Sequence, residues 1–304
     1  MNHSSDKFRS VFLPLLAALI WGTAFVAQKI STIGALLFNA SRSIIAVIFL
    51  LVLILILTKG DFRHVLSEPD KKATRDLWVG GTLCGLSLAI ATFFQQQGMN
   101  LGTEAGKAGF LTALYIMLVP VLGIFLKKKT GFKVWICVIL AVVGLYFLSV
   151  PAGSFTIRMS DLLVTFCGFC FAVQIQCIDR FSVKCHCVKL SCIQFLVSFA
   201  VSFLAALIFE DVSIAGISEN LYPILYLGIF SSGIAYTLQM VAQKGNNPAV
   251  VSVLLSMESV FSVLAGALFL HEVLTLREYL GCLIMLAAVL LTQTPEGLFK
   301  KKSA

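Results

Sequence analysis

The chain has 304 residues, of which 59% are hydrophobic and only 12% charged, with a formal net charge of +8 and a mean hydropathy of +0.95. So little charge cannot cover a soluble domain of this length, which excludes soluble enzymes and binding modules and predicts an all-α integral membrane protein. The basic residues fall between apolar segments, where they orient a chain in a bilayer, so lipid and not nucleic acid is the expected partner.

A spanning helix takes about twenty mainly apolar residues. Ten segments satisfy that length: 11–30, 36–58, 77–99, 105–126, 134–150, 161–178, 190–209, 221–243, 248–270 and 277–293. The first, VFLPLLAALIWGTAFVAQKI, is longer than the apolar part of a signal peptide and no clean cleavage site follows it, so it is expected to span. Trp21 lies well inside it. Lys29 stands at its end, where a lysine either snorkels or meets a substrate. Early in the second span, Arg42 either binds a substrate carboxylate through its planar fork, reaches the outer interface, or pairs with an acid.

The third span carries Gln95, Gln96 and Gln97. At about 100° per residue they fan around the helix, so at least one points into the bundle. Glu104 and Lys107 are a turn apart at the start of the fourth span and are expected to pair. Their setting, GTEAGKAG, allows close helix packing but lacks the order of a phosphate loop. Tyr115 lies deep in the fourth span. Gln174 and Gln176 follow in the sixth, Gln194 in the seventh, and Tyr236, Gln239 and Gln243 in the eighth. Such amides either line a polar cavity or bond helix to helix.

The ninth span contains Glu258, in SVLLSMESVFSVLAGALFLHE. A charge near mid-bilayer costs roughly 2.5–3.5 kcal/mol on insertion scales, so it faces a bundle interior or a wet cavity. Glu258 is either a cavity acid that contacts substrate or titrates in a proton-coupled cycle, or an acid bonded across a helix interface.

The nine cysteines lie mostly in apolar segments, where a thiol acts as a small hydrophobe. The tightest group, Cys185, His186 and Cys187, is too small for a metal site. No metal or cofactor is expected.

With the N-terminus in the cytoplasm, every basic residue except Lys29, Arg42, Lys107, Arg158 and Arg277 falls on the inner side. The outer segment EDVSIAGISEN has acids and no base, so both termini are expected inside. The two halves also match at a shift of 144: ATFFQQQGMNLGTEAGKAGFLTALY lies over AYTLQMVAQKGNNPAVVSVLLSMES, with Gln95 on Gln239 and Ala105 on Ala249. Five spans per half place the repeats in opposite orientations, the architecture of secondary transporters. The expected organisation is a tail at 1–10, a first five-helix repeat at 11–150, an outside linker at 151–160, a second repeat at 161–293 and a basic tail at 294–304.

Ten spans in two halves, the Trp21-Gly22 pair in the first, and Glu258-Ser259 followed by His271-Glu272 together resemble the drug/metabolite transporter superfamily, in its EamA-domain branch, from about Phe12 to Thr292. Members of that family are typically exporters or exchangers of amino acids and other small metabolites. Its second repeat commonly has a Glu-Pro step and, after an apolar run, Gly-Glu. Each signature is half kept here, and Ser259 in place of the proline removes an expected kink. The first repeat has Leu114-Tyr115 at the equivalent step, with Pro120 beyond it.

The expectation is therefore a secondary transporter in the cell membrane, moving small polar metabolites such as amino acids outward by ion-coupled or exchange alternating access. Multidrug efflux of small hydrophobic or cationic compounds is the alternative. The substrate and coupling candidates are Glu258, Arg42, Gln95, Gln239, Tyr236, Trp21, Tyr115 and Gln174. A membrane enzyme is disfavoured because the four histidines sit in the tail or at loops, leaving no buried base. A channel is disfavoured because no filter-like run is present. With no ATP-binding loop, active transport would draw on an ion gradient, with proton coupling as one route, or on exchange. Substrate identity, direction and oligomeric state stay open at this point.

Overall fold

In lipid, a backbone satisfies its own polar groups most simply as a helix. A computed structural model describes residues 8–60, 65–103, 105–128, 130–150, 158–269 and 274–294, and the ordered elements among them are all helical. A π-helical turn, Phe8–Phe12, leads into α1 (Leu13–Lys29). Then come α2 (Ala35–Leu57), α3 (Lys71–Asn100), α4 (Ala105–Ala113), α5 (Tyr115–Phe125), α6 (Phe132–Ser149), α7 (Met159–Ser182) and α8 (Cys187–Phe209). A short α9 (Ile214–Glu219) precedes α10 (Leu221–Tyr226), a π-helical stretch (Leu227–Ala235) and α11 (Tyr236–Gln243). The chain ends in α12 (Pro248–Leu255), α13 (Met257–Phe269) and α14 (Leu276–Gln293).

The described parts of the ten expected segments are helical. Among the described residues, nine helices are long and apolar enough to cross a membrane, and the remaining one, Phe132–Leu148 within α6, is shorter. The chain is thus an all-α multi-pass membrane protein. His3, His64, Glu104, His271, Glu272 and Lys300–Lys302 lie outside the described residues, as does most of the expected 151–160 linker.

Local chemistry sets several ends. The Asp70 carboxylate accepts from the Ala73 N–H at 3.0 Å and starts α3 well ahead of the expected residue 77. Asn247 caps α12 through the Ala249 N–H at 2.9 Å, with Pro248 in the first helical position. After α11 the chain reverses at Gly245, whose φ of +81° suits a residue without Cβ.

Two spans are interrupted. The fourth breaks at Leu114, between α4 and α5, upstream of Pro120. The ninth breaks at Ser256, between α12 and α13. Ser259 in place of proline predicted no kink at the Glu258-Ser259 step, and that step lies inside α13; the break falls three residues before Ser259, at Ser256. The Ser256 hydroxyl bonds back to the Val253 carbonyl at 2.8 Å, and the Ser259 N–H turns to the Ser256 carbonyl at 3.2 Å. Serine back-bonding of this kind bends a helix without proline.

In the bundle α2 runs along α8, α6 along α14, and α3 against both α7 and α8. α1 packs on α13 and on the π-helical stretch, while α4 and α5 pack on α7. α1 and α13 touch closely: a Cβ on Gly22 would stand 2.8 Å from the Glu258 carbonyl oxygen and 2.7 Å from Phe261 Cβ. Small residues supply such contacts where no hydrophobic effect drives helices together.

Ion pairs pin both ends of the seam between the fourth span and α7. Lys107 Nζ lies 2.5 Å from Asp161 Oδ2, and the expected pairing with Glu104 falls on a residue outside those described. Asp161 also accepts from the Thr103 hydroxyl at 3.0 Å and the Arg158 N–H at 2.8 Å. The start of α7 thus offers an anion site that draws the lysine across. At the other end Lys128 pairs with Asp179.

Candidate functional site

The interrupted helices, the π-helical stretch and α1, α2, α3 and α7 surround one cavity in the bundle. All eight sequence candidates line it: Trp21, Arg42, Gln95, Tyr115, Gln174, Tyr236, Gln239 and Glu258. The space left for the centres of water molecules is about 40 Å³, room for about three ordered waters.

Glu258 is 5% exposed and sits in the first turn of α13. The Tyr115 hydroxyl, at the start of α5, donates to its Oε1 at 3.4 Å. Both groups stand just past a helix break, which turns side chains of the fourth and ninth spans toward each other. Trp21 meets Tyr236 edge to face, with ring centroids 4.7 Å apart, and Phe195 supports Tyr236 at 5.4 Å. The Trp21 indole N–H points at the Ser231 carbonyl, 3.4 Å away. Ser231 belongs to the π-helical stretch, and such departures from the α ladder recur at functional sites.

Arg42 is 5% exposed, so it does not snorkel. Its Nε donates to Asn39 Oδ1 at 3.1 Å. Among the described residues no carboxylate forms an ion pair with it, so the rest of its fork is left to the cavity. Lys29 is exposed, and its neighbour Gln28 is buried and lines the cavity. The polar contribution from the end of α1 is therefore the amide.

The glutamines divide by role. Gln95 donates to the Thr112 hydroxyl at 3.0 Å. Gln174 donates to Gln194 at 3.0 Å. Gln174 Oε1 and Gln239 Oε1 are buried, with no hydrogen-bond partner among the described residues. Gln96 bonds to Asn100 and to the Gln28 carbonyl. Gln176 donates to the Val119 carbonyl at 2.6 Å, away from the cavity. Beyond the expected set, Gln28, Thr112, Ser231 and Phe171 also line the space.

The cysteine cluster behaves as packing. Cys185 donates to the Phe181 carbonyl at 3.3 Å and Cys187 toward the Met240 carbonyl at 3.7 Å. Burial pushes the Cys185 thiol up to about 11. Among the described residues no group of three or more His, Cys, Asp or Glu is placed to hold a metal.

The sequence matches the EamA-like transporter family over residues 8–150 and again over 158–294. The chain belongs to the EamA-like transporter family. A relative from Archaeoglobus fulgidus, described as an uncharacterized transporter, is 30% identical over 286 residues, covering 91% of this chain and 83% of its own. A solved crystal structure shares the fold, with a TM-score of 0.77 at 19% identity over 96% of this chain and 97% of that one. This EamA-family protein is accordingly a multi-pass membrane transporter of the secondary kind, not an enzyme. The bilayer and a small-molecule substrate are its partners.

Proposed function

We propose that this EamA-family transporter moves zwitterionic metabolites of amino-acid size by alternating access, with the central cavity as the substrate site. The observation that carries the reading is the joint presence of one buried acid, Glu258, and one buried base, Arg42, in a cavity that amides, hydroxyls, aromatic rings and the aliphatic Ala24, Ile175 and Leu255 also line. A substrate ammonium fits the side formed by Glu258 with the Trp21 and Tyr236 rings. A substrate carboxylate fits the Arg42 fork. Gln95, Gln174 and Gln239 supply acceptors and donors for the remainder, and Tyr115 holds Glu258. Because Glu258 sits where the spans break, it is also the group proposed to couple substrate movement to protons. Outward transport across the cell membrane is the direction that the family suggests.

The same reading takes the chain as ten transmembrane helices in two inverted repeats, 11–150 and 161–293, with both termini cytoplasmic. The packing supports it. α1 with α13 and α7 with α4–α5 are pairs that exchange under a two-fold relation, while α2 with α8 and α6 with α14 map onto themselves. The breaks at Leu114 and Ser256 fall at nearly equivalent places in the two halves.

Multidrug efflux is the second reading, and the Trp21 and Tyr236 rings that line the same cavity as Glu258 favour it for cations. Counterflow in proteoliposomes separates the two. Uptake of a labelled amino acid driven by the same unlabelled amino acid supports the zwitterion site. Exchange of lipophilic cations alone, with no amino acid moved, contradicts it.

A further inference from the structure

We infer that Asn39 is a positioning residue for Arg42 and that, through Ser198 and Ser202 of α8, it sets the preference for substrates that carry a carboxylate. The inference rests on Arg42 as the carboxylate contact proposed above.

Arg42 lies in the second turn of α2, near a membrane surface, and an arginine there would normally extend its long side chain toward water. It is held in the bundle instead. Asn39, one turn earlier, accepts the Arg42 Nε–H on Oδ1 at 3.1 Å. The other end of the same amide donates to Ser202 Oγ at 2.6 Å and to Ser198 Oγ at 3.5 Å. Ser43 meets Ser198 at 3.4 Å. The polar stripe Asn39–Ser43 of α2 thus faces the stripe Ser198–Ser202 of α8, each with a spacing of four residues. Asn39, Ser43, Ser198 and Ser202 are each at most 2% exposed.

This arrangement uses what an amide alone among small side chains offers, an acceptor on one side and donors on the other. Turned over, the amide would set its NH₂ against the guanidinium N–H and lose that bond, while the serine hydroxyls could donate to its oxygen instead. The donor-only guanidinium therefore fixes which end of Asn39 faces Arg42, the serines anchor the other end, and the anchored Asn39 determines where the fork lies. With Nε engaged, the remaining N–H groups of the fork are those a substrate carboxylate would meet.

The backbone beneath is fixed independently. A Cβ on Gly228, in the π-helical stretch, would stand 3.0 Å from the Arg42 carbonyl oxygen and 2.6 Å from Ile45 Cβ. At the end of the same seam, the Glu210 carboxylate accepts from the Leu36 and Leu37 N–H groups at 2.9 and 2.8 Å, capping α2. Loss of the Asn39 amide would therefore release the Arg42 side chain and leave α2 in place.

The competing account is that the stripe only joins α2 to α8, as interhelical polar contacts often do. Ligand-induced thermal shifts of the purified full-length protein distinguish the two. The probes are the twenty standard amino acids and the amine formed by decarboxylating each. For the best-binding amino acid, Asn39→Ala is expected to weaken binding about tenfold, the scale of one hydrogen bond to a charged group, and to change binding of the matching amine less than about twofold. Introduced into Arg42→Lys, which already lacks Nε, Asn39→Ala is expected to add less than about twofold. Should Asn39→Ala fold poorly, Ser202→Ala, which removes only the 2.6 Å bond, is expected to shift the acid-to-amine ratio in the same direction.

Equal weakening of acid and amine, or full additivity with Arg42→Lys, would overturn the positioning role and leave the stripe as packing. An unchanged ratio in Arg42→Ala would instead remove the carboxylate reading beneath it. If no amino acid stabilises the wild type, the zwitterion site falls and this inference with it.

Discussion

The Tyr115 hydroxyl reaches Glu258 Oε1 across 143 positions of sequence, at 3.4 Å. The two residues stand just past the breaks at Leu114 and Ser256, so the contact joins the two interrupted spans at the centre of the bundle. A hydrogen bond of that length is weak, and a substrate or proton can take its place at low cost. Tyr115→Phe is accordingly expected to retain the fold, with a melting temperature close to wild type, while altering how transport depends on pH. Unchanged pH dependence in reconstituted vesicles would show that Tyr115 has no part in the coupling.

Gly22 carries a packing prediction. Gly22→Val places atoms where the Glu258 carbonyl and the Phe261 Cβ already sit, at 2.8 and 2.7 Å from a Cβ. Overpacking of this kind costs roughly 1–3 kcal/mol, and displacement of α13 moves Glu258 with it. Both a lower melting temperature in detergent and loss of flux are expected. Wild-type values of the two together would show that α1 and α13 do not meet as described.

The ion pairs should differ in worth according to their exposure. Asp161 is 2% exposed where it meets Lys107, whereas Lys184 and Asp76 are 40% and 25% exposed at 3.4 Å. Asp161→Asn neutralises a buried carboxylate that meets Lys107, the Thr103 hydroxyl and the Arg158 N–H and is expected to cost roughly 3 kcal/mol. Asp76→Asn is expected to cost under about 1 kcal/mol. Thermal or denaturant unfolding of the two variants side by side checks the order, and a larger loss for Asp76→Asn contradicts it.

Topology gives a further check. With both termini in the cytoplasm, Lys184→Cys should react with an impermeant maleimide only after the inner face is opened, and Arg158→Cys should react on intact cells. The opposite labelling would invert the proposed orientation.

Much of this site was visible in the sequence because lipid makes polar residues conspicuous. Glu258, Arg42 and the glutamines stand out since each is costly to bury unless it faces a cavity or another helix. What escaped notice did so for physical reasons. Gln28 adjoins Lys29 at the end of α1, and only the three-dimensional turn of the helix shows which of them points inward. Thr112 looks ordinary because a threonine in a helix can satisfy itself on its own backbone. Ser231 is reached through its carbonyl by the Trp21 indole, so its side chain gives no sign of its place. The spans were legible from length and hydropathy alone. The break at Ser256 was not, because serine bends a helix only where its hydroxyl turns back on the backbone, and the chain around it carries no proline to announce the bend.

The most direct test of the central cavity is flux through Glu258→Gln in proteoliposomes, measured with and without an imposed pH gradient. The substitution keeps the side chain's size and removes its ability to ionise. The variant is expected to insert and melt like wild type, yet either to carry no substrate or to exchange it with no response to the gradient. Wild-type flux with the wild-type response to pH would show that Glu258 neither binds substrate nor couples its movement to protons.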